Sequence, residues 1–120
     1  MTTVDIANRL VEICRSGQFD DAYHELFSPD AVAYEMEGYP DRITKGIDAL
    51  LAKSKGFAEE VKEMHALEIT DPLVMGDQFA VGMMLDMTKK DGKREKAEEI
   101  CVYEVKNGKI VSERFLYSMG

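Results

Sequence analysis

From about Lys62 onward the apolar residues of this chain recur every second position, whereas before it they mostly recur every third or fourth. That change of period limits the fold more than any other feature. A period of two makes strands with two faces, and a period near 3.6 makes helices with one apolar stripe. Helices gathered early and strands gathered late do not build a wound parallel sheet. They build an α+β domain, with helices packed on a curved antiparallel sheet.

The alternation predicts strands at about Glu63–Thr70, Phe79–Thr88, Glu95–Lys106 and Lys109–Tyr117. Asp71-Pro72, Gly76-Asp77, Asp91-Gly92 and Asn107-Gly108 separate them. Asn107-Gly108 is the strongest hairpin signal, because Asn-Gly suits the two positive φ angles of a type I′ turn. Upstream, Val4, Ala7, Leu10, Val11 and Cys14 share a helical stripe that ends at Ser16-Gly17. Phe19, Tyr23, Leu26 and Phe27 mark a second helix, broken by Ser28-Pro29-Asp30. Ala31–Glu37 alternates as a short strand, and Gly38–Gly46 is a loop. Ile47, Leu50, Leu51, Phe57 (or Ala58) and Val61 give a third helix, with Lys53, Lys55, Glu59 and Glu60 on its other face.

At 120 residues the chain is one domain, 1–120, of the usual size. Its net charge of −8 argues against nucleic acid, which needs clustered Lys and Arg, and against anionic membrane surfaces. There is no charged-then-apolar leader and no apolar run of about 18 residues, so neither a signal peptide nor a membrane span is expected. Cys14 and Cys101 form no CxxC and read as small buried hydrophobes. A cytoplasmic protein is the expectation.

Four segments carry a resemblance. They are the opening helix pair ending at Gly17; Leu26-Phe27-Ser28-Pro29-Asp30-Ala31-Val32; Lys45-Gly46-Ile47-Asp48-Ala49-Leu50; and Ile100 to Tyr117. In order and spacing they resemble the SnoaL-like domains of the nuclear transport factor 2-like superfamily, over essentially the whole chain. The resemblance implies a cystatin-like α+β cone whose mouth admits a small ligand. It also implies relatives such as ketosteroid isomerase, polyketide cyclases, dehydratases and non-catalytic binding modules, many of them homodimers. One fold hosting many functions leaves the site to decide.

Lined up with ketosteroid isomerase, Glu35 falls at the general base and Glu99 at the oxyanion-hole acid. The enzyme's first-helix tyrosine falls at Leu10, which donates no hydrogen bond. Carboxyls in an apolar pocket have raised pKa values, and two near each other do not both ionise cheaply, so one serves as base and the other as donor. The alternative for Glu35 is an edge strand facing water. His65, on the predicted face of Leu67 and Ile69, is a further candidate base, or a hydrogen-bonded core residue. Asp86 and Glu113 are placed to reach the same space.

The expected catalytic set is therefore Glu35, His65, Asp86 and Glu99. Glu113, Tyr117, Tyr103, Met84 and Leu10 are the expected ligand contacts. Met75, Met83, Met84 and Met87 suit either an adaptable pocket or plain packing. His24 and His65 lack metal-ligand spacing, so no metal is expected. No phosphate loop is present, and no cofactor is expected. The expected function is cofactor-free isomerisation, cyclisation or dehydration of an apolar carbonyl ligand, or else a non-catalytic binding or dimerisation module. Ile100 and Val102 on the outer sheet face predict a homodimer.

Overall fold

The computed structural model describes residues 1–118. A Thr2–Asp5 capping box starts helix α1 (Thr3–Arg15), with the Thr2 hydroxyl accepting from the Asp5 amide at 3.1 Å. Gly17, at φ 81°, ends that helix. Helix α2 (Phe19–Leu26) runs directly into strand β1 (Phe27–Tyr34), and strand β2 (Ile43–Lys45) follows. Gly46, at φ 88°, turns the chain into helix α3 (Ile47–Glu60). Strands β3 (Val61–Ile69), β4 (Leu73–Met75), β5 (Gln78–Lys89), β6 (Arg94–Lys106) and β7 (Lys109–Tyr117) follow it.

The strands form one unclosed sheet in the order β2-β1-β7-β6-β5-β3, with β4 paired to β5 beside β3. Asn107 and Gly108 turn β6 into β7 with φ of 52° and 74°, the two positive angles their sequence predicts. Every pair is antiparallel except β1–β7, which is parallel. That exception is compatible with connectivity, since most of the chain separates β1 from β7 and no hairpin joins them.

The structure differs from the sequence expectation in the short elements. Strand β1 begins at Phe27 rather than Ala31, and an irregularity between Phe27 and Val32 absorbs Ser28-Pro29-Asp30. Strands β2 and β4 lie in stretches that read as loops. Each has three residues, too few to establish a period.

Cross-strand register sorts the faces. Phe79, Val81, Met83, Leu85 and Met87 of β5 share the inner face with Glu99, Cys101 and Tyr103 of β6, and with Glu113, Phe115 and Tyr117 of β7. Helix α1 buries Ile6, Ala7, Leu10, Val11, Ile13 and Cys14 in this core. Phe79 stacks on Tyr103 at 4.8 Å between ring centroids, and Phe27 meets Tyr103 edge-on. Helix α3 behaves differently. It fully buries only Leu50, and every residue from Lys55 to Glu60 is exposed. Helix α1 packs one part of the inner face solid, whereas the second half of α3 buries none of its own side chains.

Candidate functional site

Along β7, alternation places Glu113, Phe115 and Tyr117 on the inner face, opposite Tyr103, Cys101 and Glu99 of β6. Glu35 follows the end of β1, whose residue Ala33 is fully buried opposite Glu113. Three carboxyls of remote sequence position thus come to one side of the sheet. Helix α3 adds Lys53, three residues beyond the buried Leu50 and so on the same helix face.

These groups are engaged. Lys53 Nζ donates to Glu35 Oε1 at 2.6 Å, and the Tyr117 hydroxyl donates to Glu35 Oε2 at 2.6 Å. Only 10 % of the Glu35 side chain is exposed, so this is not the water-facing carboxylate of an edge strand. The Lys53 ammonium also lies 5.3 Å from the centre of the Phe115 ring, within cation–π range. Burial, and then the hydrogen bond and charge of Glu35, push the Tyr117 phenol up. The Tyr39 ring packs edge-on against Tyr117, which places the loop after β1 over this part of the site.

Among the described residues, Glu99 has no cation bonded to it. Its one side-chain hydrogen bond among those residues comes from the Cys101 thiol, which donates weakly to Oε1 at 3.7 Å. Burial raises the Glu99 pKa, and the nearby charge of Glu35 raises it further. Glu113 is 3 % exposed, and its Oε1 accepts from the Tyr23 hydroxyl at 2.7 Å. Burial pushes Glu113 up to about 7, against the lowering effects of Tyr23 and Lys53. The arrangement offers an acid that keeps its proton more readily (Glu99), a carboxylate held by two donors (Glu35), and a reserve acid in the core (Glu113).

Four of the expected site residues, Glu35, Glu99, Glu113 and Tyr117, converge here. Tyr103 and Leu10 face the same way but lie inside the packed core, at 3 % and 2 % exposure, where they shape the wall. Asp86, Met84 and His65 are elsewhere. Asp86 is on the outer face of β5, where it receives Arg94 in a fork at 3.0 and 2.9 Å. Met84 is outward for the same reason: its neighbours Met83 and Leu85 take the inner positions. His65 sits at a register shift between Met64 and Ala66, so the alternation that predicts it inward fails there. Its Nε2 bonds Thr88 Oγ1 at 2.6 Å, on the same outward face as Asp86.

Sequence reasoning placed Lys53 on the solvent face of α3 and assigned Tyr23 no polar role. Tyr23 carries a signal, a polar tip on an otherwise apolar stripe, whereas Lys53 carries none beyond its spacing to Leu50, because a helix lysine is ordinarily solvated. His24 is exposed. No cluster of His, Cys, Asp and Glu among the described residues has metal-binding geometry. No helix among them is long and apolar enough to cross a membrane.

Residues 1–117 match the family model of the SnoaL-like domain. No curated protein matches the chain. Among solved structures, a protein of Mesorhizobium loti designated a SnoaL-like polyketide cyclase is 36 % identical, with a TM-score of 0.91 over 98 % of this chain and 100 % of that one. A protein of Xanthomonas campestris with a cystatin-like fold is 19 % identical, with a TM-score of 0.81 over 98 % and 92 % of the two chains. A protein of Catenulispora acidiphila with a ketosteroid isomerase-like fold, solved in complex with trimethylamine, is 15 % identical, with a TM-score of 0.74 over 95 % and 85 %.

Proposed function

The chain belongs to the SnoaL-like domain family, and from that premise we propose that it binds a small, largely apolar carbonyl compound under α3 and moves a proton on it without a cofactor. The observation that carries this reading is the unlike state of two neighbouring carboxyls. Glu35 is gripped by Lys53 and Tyr117, whereas Glu99 is desolvated, has no cation bonded to it among the described residues and keeps its proton more readily. Two carboxyls set apart by their surroundings form an acid–base pair.

Glu35 is the base and Glu99 the donor. A C–H bond next to the carbonyl breaks, and its proton passes to Glu35. The released electron pair forms the enol double bond, and the carbonyl oxygen takes a proton from Glu99. Where the ligand is a β,γ-unsaturated ketone, Glu35 returns the proton to the far carbon of the C=C bond while the enol oxygen hands its proton back to Glu99, so the double bond moves into conjugation, the carbonyl re-forms and both carboxyls regain their starting states. Each Glu35 oxygen keeps a lone pair beyond the donor it already accepts.

The test uses a simple ketone in D2O, with loss of α-proton signal followed by NMR. The protein accelerates exchange above buffer, and Glu99→Gln and Glu35→Gln each abolish the acceleration. Exchange at the buffer rate with wild-type protein would remove the catalytic reading.

One observation favours a purely binding role. The first helix presents Leu10, buried in the core, where a catalytic hydroxyl would be needed. On that reading the ketone binds and does not exchange.

The outer sheet face supports a homodimer. Ile100 and Leu116 are directly opposed, and are 51 % and 47 % exposed, with Gly82 continuing the strip. A chain of charge −8 repels its own copies except across a patch of this kind. Light scattering at micromolar concentration should give twice the chain mass, and Ile100→Asp should halve it. Two buried free thiols fit a reducing, cytoplasmic setting.

A further inference from the structure

We infer that this site selects its ligand by charge, admitting neutral and cationic apolar molecules and turning away carboxylates and phosphates. The inference rests on the binding reading above and adds the substrate class.

On the inner face, cations are few among the described residues and already used. Lys53 is held by Glu35 at 2.6 Å. The other lysine at an inward register position, Lys89, is shared at the rim by Glu95 at 3.3 Å and Glu60 at 3.8 Å. Against these two lysines stand the carboxyls of Glu35, Glu60, Glu95, Glu99 and Glu113. Neither hydroxyl bonded within the site is free, since Tyr117 donates to Glu35 and Tyr23 to Glu113. An incoming anion would therefore find these strong donors taken, and would have to break a short ion pair to gain one. Where Glu99 keeps its proton it is the one donor left to an anion, and where it is ionised the anion meets a carboxylate that no bonded cation among the described residues neutralises, so the exclusion strengthens as pH rises.

The surfaces around the polar groups suit the opposite kind of ligand. Tyr39, Phe57 and Met64 are 43 %, 40 % and 39 % exposed. Tyr39 packs on Tyr117, Phe57 lies one helical turn beyond Lys53, and Met64 pairs with the inward Met87. Aromatic rings and thioethers accept neutral apolar groups and cations, and give an anion nothing. The Lys53 ammonium over Phe115 shows a cation resting on an aromatic face of this same site.

The test compares three molecules of one skeleton, 3-phenylpropanamide, 3-phenylpropylammonium and 3-phenylpropanoate, titrated into the intact protein and followed by NMR shifts of inner-face residues. The amide and the ammonium bind, and the carboxylate binds at least about tenfold more weakly than either. The gap is wider at pH 8 than at pH 6, because Glu113, pushed up to about 7, loses its proton over that range. Glu99→Gln narrows the gap. Glu98→Gln, one residue away on the opposite face, leaves it unchanged.

A carboxylate that binds as well as the amide overturns the inference and leaves the binding site standing. Equal narrowing by Glu98→Gln also overturns it, because net charge rather than the site would then be responsible. If none of the three binds, the binding reading falls as well.

Discussion

Replacing Glu113 with glutamine should make the protein more stable at neutral and alkaline pH, although it alters a buried, hydrogen-bonded residue. The Glu113 carboxyl is 3 % exposed and has one donor, Tyr23. Lys53 favours its charge, and Glu99 and Glu35 oppose it, but burial dominates and holds its pKa at about 7 against 4.5 for a free glutamate. Below pH 4.5 the group is protonated in both folded and unfolded chains and adds no pH dependence. Between 4.5 and 7 the unfolded chain has lost the proton and the folded chain keeps it, so folding weakens by about 1.4 kcal/mol per pH unit. Above 7 both states are ionised, and the penalty levels off at about 3 kcal/mol, from the difference between 7 and 4.5. The amide of Glu113→Gln does not ionise, and its oxygen still accepts from Tyr23. The stability difference between Glu113→Gln and wild type should therefore be near zero at pH 4.5 and rise to about 3 kcal/mol in favour of the variant by pH 8. Other titrations, including that of Glu99, are common to both proteins and largely cancel. Urea unfolding followed by far-UV circular dichroism measures this in a chain without tryptophan. A difference that stays flat from pH 4.5 to pH 8 would refute the reasoning.

Tyr23→Phe removes the donor that favours ionised Glu113. It should cost about 1–3 kcal/mol at pH 8 and less at pH 5, by the same urea assay. Gly46 holds φ 88° and ψ 150°, a region closed to side chains, so Gly46→Ala should lower stability by about 1–3 kcal/mol although a Cβ there meets nothing closer than 3.9 Å. Leu50→Ala removes the one fully buried residue of α3 and should cost about 2–5 kcal/mol, seen as a fall in the urea midpoint. Cys14, buried with its thiol pushed up to about 12, and Cys101, fully buried, should resist a thiol reagent at pH 8 until urea is added, when both thiols of the chain react.

Most of the fold was legible because its long elements are periodic. The β6–β7 hairpin could be placed from Asn107-Gly108 alone, and counting along each strand put Glu113 and Tyr117 on one face of β7 and Glu99 with Cys101 and Tyr103 on one face of β6, while the family resemblance rather than the counting made Glu99's face the inner one. The same counting failed at His65, where a bulge in β3 shifts the alternation, and the sequence carries no Gly or Pro there to announce it. Asp86 and Met84 failed for another reason. A strand with apolar residues on both faces does not show which face the helices will cover, and only the burial of Val81, Leu85 and Met87 decides it. Lys53 was hidden by chemistry rather than by period, because a lysine on an amphipathic helix is normally solvated and nothing local shows that Glu35 lies across from it.

The two halves of the cone explain why the fold is easier to establish than the reaction. Where α1 lies, the inner face is filled by Leu10, Phe79, Tyr103 and Ile110, and a polar group there survives only with a buried partner, as Glu113 does with Tyr23. Those positions carry the stability and tolerate little change. The second half of α3 buries none of its own side chains, so substitutions along it cost little folding energy and are free to follow the ligand. The residues that determine chemistry are thus the ones that packing constrains least. It follows that exchanging Phe57 or Met64 for other apolar residues should alter ligand preference with hardly any change in stability, whereas the same exchange at Leu50 or Phe79 should unfold the chain before it changes what the chain binds.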